Sequence, residues 1–598
     1  MYSIPVQFRV DKELYWSRLR AAAIMASNTS STSSAPPRYS EVVCVGAGLS
    51  AISLGAQLQI QYNLTDFHIY EKNEGIGGTW WANTYPGAAC DVPSALYCLS
   101  FAPNPDWTCS LPPQGEIKEY IDSVASKYGI PQRTSLSTAV TRAQWDEGHG
   151  RWRLSLRDLK TGEAYFHECK ILFTGQGLLE EPNYPKIPGL ETFEGHIFHS
   201  ARWDHTVDLK GKRVAVIGGG CSATQIVAAI APEVEVVKQF IRTPHWILNL
   251  PVLKYTAFNR WIYRNVPLAY KFHRLLVFAL LEWDFRLFPQ SRFAQGQRDR
   301  AREYAIKCMH EKAPEKYHEL LLPDYEVACK RRVIDSGYLA SLNRQNVQVH
   351  KERAIEIAPH GIKASDGIHD VDVIVLATGF QTSGKFFKGM EVLGRNGVSA
   401  DKHWDGIGGV GAYNTTAMHD FPNFFMLLGP NSVTGHSSAI MAIEKYYLLV
   451  VDYALRVLKP VLRGDASRVE VKERSEKEYI NWIQAALRET VWNTGCASWY
   501  TSNGWNAQAY PFSQLHFYYR SLFVIAKDWD VTHTKRAPQL RKPLATSFLV
   551  GVCIGVLTAH FIQVWAPVLD KYILWQGISS SWGIWLEEVT AHLKGMTT

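Results

Sequence analysis

Short apolar runs that break at glycine turns recur along this chain. The first runs from Glu41 to Val45, turns at Gly46-Ala47-Gly48-Leu49-Ser50-Ala51 and continues into an apolar stretch of helical character. The second, Arg213 to Ile217, turns at Gly218-Gly219-Gly220-Cys221-Ser222-Ala223. Two more runs, ILFTGQG from Ile171 to Gly177 and DVIVLATGF from Asp372 to Phe380, lack alternation, as strands buried on both faces of a parallel sheet do, and the second of them is read as the chain's return to the first fold. The pattern predicts an α/β chain with two Rossmann-like dinucleotide-binding domains, each opening as strand, glycine turn and helix.

The turn residues have separate tasks. Gly46 permits the tight turn, Gly48 lets the backbone approach a pyrophosphate, and Ala51 keeps helix and strand close. The following strand, Phe67 to Tyr70, ends at Glu71, and 71 − 46 = 25 residues is about the spacing at which a carboxylate meets ribose hydroxyls. In the second fold Gly218, Gly220 and Ala223 take the corresponding places, and the strand Val234 to Ile241 ends at Arg242, with 242 − 218 = 24. A cation there, with Lys238 nearby, accommodates a 2′-phosphate that an acid would repel, so the second nucleotide is expected to be NADPH.

The domain expectation follows. Residues 1–37 form a flexible lead-in ending in SNTSSTSS and Ala35-Pro36-Pro37, with no apolar core of a signal peptide before it. Residues 38–182 and 377–530 build the first nucleotide domain, interrupted at 183–376 by the second, which carries a helical insertion at 246–325. The apolar run Leu275 to Leu281 in that insertion is too short to span a bilayer, and core packing is expected for it.

Composition narrows the class. The 598 residues are 46% hydrophobic and 20% charged, which makes the chain globular and too long for one core. Its ten cysteines are scattered, with no CxxC pair, so a reduced, cytosol-facing body without a metal site is expected. A net charge of +7 is small for this length, and no basic, aromatic-interleaved run suggests nucleic acid as a partner.

Two stretches specify the chemistry. Gly77 to Asp91 is GGTWWANTYPGAACD and Phe193 to Asp204 is FEGHIFHSARWD. Together they resemble the paired fingerprints of the Baeyer–Villiger monooxygenases, a class of FAD-binding flavoproteins, here of the type found in fungal specialised metabolism. Gly77, Gly78, Trp80, Tyr85, Pro86, Gly87 and Asp91 occupy the family positions, as do Phe193, Gly195, His199, Trp203 and Asp204. Amine and sulfide oxygenases instead carry an aromatic and a basic residue after the histidine. Disulfide reductases need a close dithiol, which Cys44, Cys90 and Cys98 do not form. His199 is read as a hinge or packing residue.

The resemblance implies site roles. Gly77, Gly78, Thr79 and Trp80, with Cys90, Asp91 and Tyr97, would line FAD, and Val140 would reach its adenine side. Arg242-Thr243-Pro244 matches the family's phosphate-binding turn. In Cys329-Lys330-Arg331-Arg332, alignment through Asn343 makes Lys330 a ligand of the NADPH phosphate and places Arg331 over the flavin, paired with Asp91. The segments Phe421 to Ser432 and Trp492 to Phe512 resemble a turn near the flavin and a segment closing over the site. The implied reaction uses O2 and a flavin C4a-peroxide to insert one oxygen beside the carbonyl of an apolar, terpenoid- or polyketide-like ketone. Two other readings stand beside it: hydroxylation or N/S-oxygenation by the same cofactors, and a non-catalytic, membrane-attached nucleotide-binding protein.

The last segment adds a membrane. Leu544 to Val568 is long enough to cross a bilayer and free of formal charge, behind a basic linker, 531–543, that holds Lys535, Arg536, Arg541 and Lys542. A carboxy-terminal transmembrane helix is expected, followed by a tail at 569–598, with the body facing the cytosol from the endoplasmic reticulum. A monotopic helix is the alternative. The sequence leaves the oligomeric state open.

Overall fold

The computed structural model describes residues 38–534, apart from 352–353, 355, 383–384, 444–449 and 497. The expected lead-in 1–37, the transmembrane stretch 544–568 and its tail lie outside the described residues. Among the described residues, no helix is long and apolar enough to cross a membrane.

An eight-stranded sheet forms around the first apolar run. Strand Arg38–Val45 lies between Phe67–Tyr70 and Ala164–Thr174, parallel to both, with Val45 opposite Tyr70 on one side and Thr174 on the other. Val42 and Val43 are fully buried, as an uninterrupted apolar strand requires. An antiparallel pair, Thr138–Asp146 and Arg151–Asp158, extends the sheet past Ala164–Thr174. After a long absence the chain comes back to this sheet with Glu391–Leu393 and Phe424–Met426.

The second sheet has five parallel strands in the order Val347–His350, Val236–Phe240, Arg213–Ile217, Val373–Leu376 and His196–His199. The run at 372–380 therefore completes this second sheet, pairing Leu376 with Ile217, and the return to the first sheet begins only after it. A three-stranded antiparallel meander, Glu356–Ala358, Gly361–Ala364 and Gly367–Asp370, precedes its last strand.

Each glycine turn is pressed against the turn that follows a neighbouring strand. Gly46 has φ +99°, and a Cβ on it would stand 2.6 Å from the Gly175 carbonyl oxygen. Gly218 has φ +143°, and its Cβ would stand 2.3 Å from the Ala377 carbonyl oxygen. The two folds repeat one steric solution, in which only glycine supplies both the backbone angle and the clearance.

The insertion is helical as expected, with helices Ala257–Asn265, Ala269–Trp283 and Arg292–Lys312. Core packing of the run 275–281 is not what the structure shows. Leu275 is 50% exposed and Leu280 is 37% exposed, because the helix buries Tyr270 and Arg274 and turns these leucines away.

Candidate active site

The first glycine turn and the fingerprint loop are built as one unit. Gly77 N–H donates to the Ala47 carbonyl at 3.0 Å, and a Cβ on Gly78, φ +57°, would stand 3.1 Å from Gly48 Cα. Bare backbone thus faces bare backbone where a pyrophosphate and a planar ring need room. Ala51, without exposed surface, lets the helix Leu49–Tyr62 close on the strand. Glu71 is buried at the end of its strand, and its Oε2 accepts from Ala47 N–H at 2.7 Å while Oε1 accepts from the Asn73 backbone and side chain. The carboxylate is fixed at the turn, where ribose hydroxyls would meet it. Val140 is buried on Thr138–Asp146, two residues beyond Thr138, whose N–H donates to the Glu71 carbonyl.

Thr79 and Trp80 open a one-turn helix, Thr79–Ala82. Trp80 is buried, and its indole N–H donates to the Tyr97 hydroxyl at 2.7 Å. Burial pushes the Tyr97 phenol and the Cys90 thiol well above their ordinary values, so both stay protonated at neutral pH. This wall is apolar and neutral, which suits a ring system.

The same loop joins the two folds. Tyr85 Oη donates to Gln225 Oε1 at 2.9 Å, and Gln225 Nε2 donates to the Ala89 carbonyl at 3.1 Å. Between them Gly87, φ +79°, lies so close that a Cβ would be 2.8 Å from the Gln225 carbonyl oxygen. The glycine of the Tyr-Pro-Gly fingerprint is thus the contact point between the first fold and the helix Cys221–Ile230 of the second.

Arg331 reaches Asp91 with both ends of its guanidinium, Nε to Oδ2 at 2.9 Å and Nη2 to Oδ1 at 2.6 Å. The carboxylate raises the Arg331 pKa further, against the opposing effect of burial, so the cation is permanent. The adjacent Arg332 is held by Asp284 of the insertion. The two arginines are therefore separated by their partners. Cys221, at the second glycine turn, feels the Asp91 and Arg331 charges, while burial pushes its thiol up to about 11.

Arg242 is exposed and has no carboxylate partner among the described residues, and Thr243 beside it is half-buried. Burial lowers the Lys330 pKa, the Asp324 carboxylate opposes that, and the nearby Arg242 charge lowers it in turn, while the ammonium lies 4.3 Å from the centre of the Tyr325 ring. Lys330 and Arg242 are close enough to feel one another's charge, as two ligands of one 2′-phosphate would be. Lys238 is directed elsewhere, donating to the Asp370 carbonyl at 3.3 Å. Gly218, Gly220 and Ala223 shape the turn beneath, and a Cβ on Gly220 would meet nothing within 4 Å, which leaves its outer side open. The residues present fit two dinucleotides, an acid at the first ribose position and cations at the second.

His199 is fully buried, and its Nδ1 accepts from Ala201 N–H at 3.1 Å. Its ring lies between Tyr184 and Phe380, on the two segments that cross between the folds. Burial lowers its pKa to about 4, which keeps it neutral as a packing residue.

The residues after Trp492 carried no chemistry of their own beyond their resemblance to a closing segment, and the structure binds them to the site. Asn431 Nδ2 donates to the Asn506 and Ala509 carbonyls, and Val433 N–H donates to the Gln508 carbonyl while the Val433 carbonyl accepts from Tyr510 N–H. Tyr500 is buried within reach of the Arg331 and Asp91 charges. A disulfide joins Cys329 to Cys496 across 167 residues, with a Cα separation of 6.4 Å. This corrects the expectation of an all-thiol chain: cysteines with no local spacing become neighbours when the strap folds over the segment that carries Arg331.

Two dinucleotide folds locked at a fingerprint loop, with a carboxylate-held arginine between them, define a flavoprotein of the oxygenase type. A family model described as FMO-like, flavin-binding monooxygenase-like, matches residues 40–276. The chain is 36% identical over 493 residues to a Baeyer–Villiger monooxygenase of Pseudomonas aeruginosa, covering 81% of this chain and 90% of that protein. It is 32% identical over 507 residues to the FAD-binding monooxygenase tazF of Aspergillus terreus, covering 81% and 88%. The fold matches cyclohexanone monooxygenase from Rhodococcus sp. Phi1, solved with NADP+, at a TM-score of 0.72 and 26% identity over 83% of this chain and all of that one. The chain belongs to the flavin-binding monooxygenases of the Baeyer–Villiger type.

Proposed function

We propose that this enzyme uses FAD, NADPH and O2 to insert one oxygen atom beside the carbonyl of an apolar ketone, releasing an ester or lactone, NADP+ and water. The observation that carries this reading is the bidentate Arg331–Asp91 pair. Bound flavin, once reduced by NADPH, supplies the activated oxygen. The chain supplies position and charge.

Attack on a carbonyl places negative charge on the attacking oxygen and then on the carbonyl oxygen. A guanidinium already fixed by Asp91 meets that charge without reorganising, which is the condition for a large electrostatic contribution. Glu71 and the first glycine turn hold the FAD ribose and pyrophosphate. Arg242 and Lys330 hold the 2′-phosphate that distinguishes NADPH from NADH. The strap at 492–512 covers the site and keeps water from the reacting atoms. The stretch 544–568 attaches the chain to the endoplasmic reticulum membrane with its body in the cytosol. Its absence of formal charge and the four cations before it support this placement. Attachment suits a terpenoid or polyketide ketone that partitions into lipid.

The test is incubation of the FAD-loaded protein with NADPH, 18O2 and a panel of apolar ketones. One heavy oxygen in an ester or lactone product, formed about 10²–10³-fold more slowly by Arg331→Ala, is the expected result. Oxygen appearing on carbon as a hydroxyl, or on nitrogen or sulfur, would replace ketone insertion with another oxygenation. Hydrogen peroxide as the sole product across the panel would remove the oxygenase reading.

A further inference from the structure

The helical insertion turns an apolar face away from the protein. On helix Ala269–Trp283 the inward side holds Tyr270 and Arg274, and Arg274 Nη1 donates to Cys98 Sγ at 2.7 Å. Leu268, at the N-cap before the helix, and Leu275 and Leu280 on it are turned outward, at 70%, 50% and 37% exposed. Helix Ala257–Asn265 has no buried residue, and its Phe258 and Trp261 stack on each other with ring planes 5° apart while 67% and 53% exposed. Its inner contact is made by Tyr263 against Tyr270 and His273. Exposed large apolar residues on adjoining helices mark a surface that meets another phase or partner.

Charge identifies the partner. From Leu250 to Leu281 the sequence contains Lys254, Arg260, Arg264, Lys271 and Arg274 and no acidic residue. Arg274 is buried and Arg264 is paired with Asp106, while Lys254 and Lys271 stand exposed beside the apolar residues. Aromatic and leucine side chains on a hairpin whose own charges are all cationic, with Asp106 answering Arg264 alone, suit the headgroup layer of an anionic bilayer. A protein partner would need acids of its own to match that charge.

We propose that the hairpin 250–281 is a lipid-docking face that lies in the headgroup layer of an anionic membrane. It is a contact of the enzyme body, separate in sequence from the apolar stretch 544–568, and it holds whatever substrate the flavin oxidises. The inner side of the hairpin packs on the short helix Ser94–Leu96 and on Cys98, next to Tyr97 and the wall of the flavin site. Docking therefore places that wall close to the bilayer, where an apolar substrate is concentrated.

Hydrogen–deuterium exchange on the full, FAD-loaded chain tests this, because it resolves the hairpin from the tail. The protein is compared before and after addition of phosphatidylcholine vesicles containing phosphatidylserine, beside a Phe258→Glu/Leu275→Glu variant with the same FAD content. Vesicles are expected to slow amide exchange across 252–281 at least roughly tenfold in the wild type and not in the variant. The slowing should weaken on phosphatidylcholine alone. Equal exchange in the two proteins on vesicles would overturn the proposal. So would slow exchange in the wild type before vesicles are added, since that assigns the face to a second copy or to another segment of the chain.

Discussion

Arg331 and Asp91, 240 residues apart in sequence, meet through two parallel hydrogen bonds of 2.9 and 2.6 Å between the two nucleotide folds. Such a pair fixes the guanidinium in both position and plane, which a lysine cannot reproduce. Arg331→Lys and Arg331→Ala should each lower the rate of ketone oxygenation about 10²–10³-fold while flavin reduction by NADPH persists. Asp91→Asn removes the charge that stabilises the arginine and should cost about 1.5–3 kcal/mol in the same step. Stopped-flow reduction measured beside product yield separates the two steps. Loss of reduction and oxygenation together would mean that Arg331 only holds the fold.

Lys330 feels both the Asp324 carboxylate and the like charge of Arg242, and a 2′-phosphate bound by the two cations would offset their repulsion. Arg242→Ala and Lys330→Ala should each remove a charge-assisted contact worth about 1.5–3 kcal/mol, or roughly ten- to hundredfold in kcat/KM for NADPH. The value for NADH should stay nearly constant. Equal losses with both nucleotides would place the cations away from the 2′-phosphate.

How far the sequence carried the reading follows from how local each signal is. The glycine turns were legible because φ above zero and a carbonyl within 3 Å of a notional Cβ leave glycine no substitute at Gly46 and Gly218. The choice of Arg331 over Arg332 required alignment, since neighbouring arginines look alike until Asp284, from the insertion, takes one of them. The Leu275–Leu281 run was misread because an apolar stripe has the same periodicity whether it faces the core or is left exposed. Cys329 and Cys496 carried no signal at all, because their proximity depends on a strap folding back across the site.

That link between Cys329 and Cys496 ties the segment two residues before Arg331 to the closing strap. A cytosolic body would meet glutathione, under which disulfides are rarely retained. Opening the link should loosen the strap, admit water and raise peroxide release per NADPH. Cys496→Ser should show the same leak and no further response to dithiothreitol, with a stability loss of about 2–4 kcal/mol. The measurement is peroxide against product with and without reductant. An unchanged ratio in the wild type would show that the strap is held by its contacts with Asn431 and Val433 alone.

Acid should weaken this protein through histidines that are buried uncharged. His199, His167 and His245 each have a folded pKa lowered by burial from 6.5 to about 4. Below pH 6.5 the unfolded chain takes up protons that the folded one refuses, so stability present above 6.5 is lost as pH falls towards 4. For His199 alone the loss is about 2 kcal/mol at pH 5 relative to pH 7. His199→Asn keeps an acceptor near the position of Nδ1, facing Ala201 N–H, but cannot titrate. Urea unfolding of the FAD-loaded protein at both pH values should therefore show a smaller acid penalty in the variant. An identical penalty would mean that His199 takes up its proton in the folded protein as readily as in the unfolded chain, and that its environment between Tyr184 and Phe380 is more polar than its burial implies.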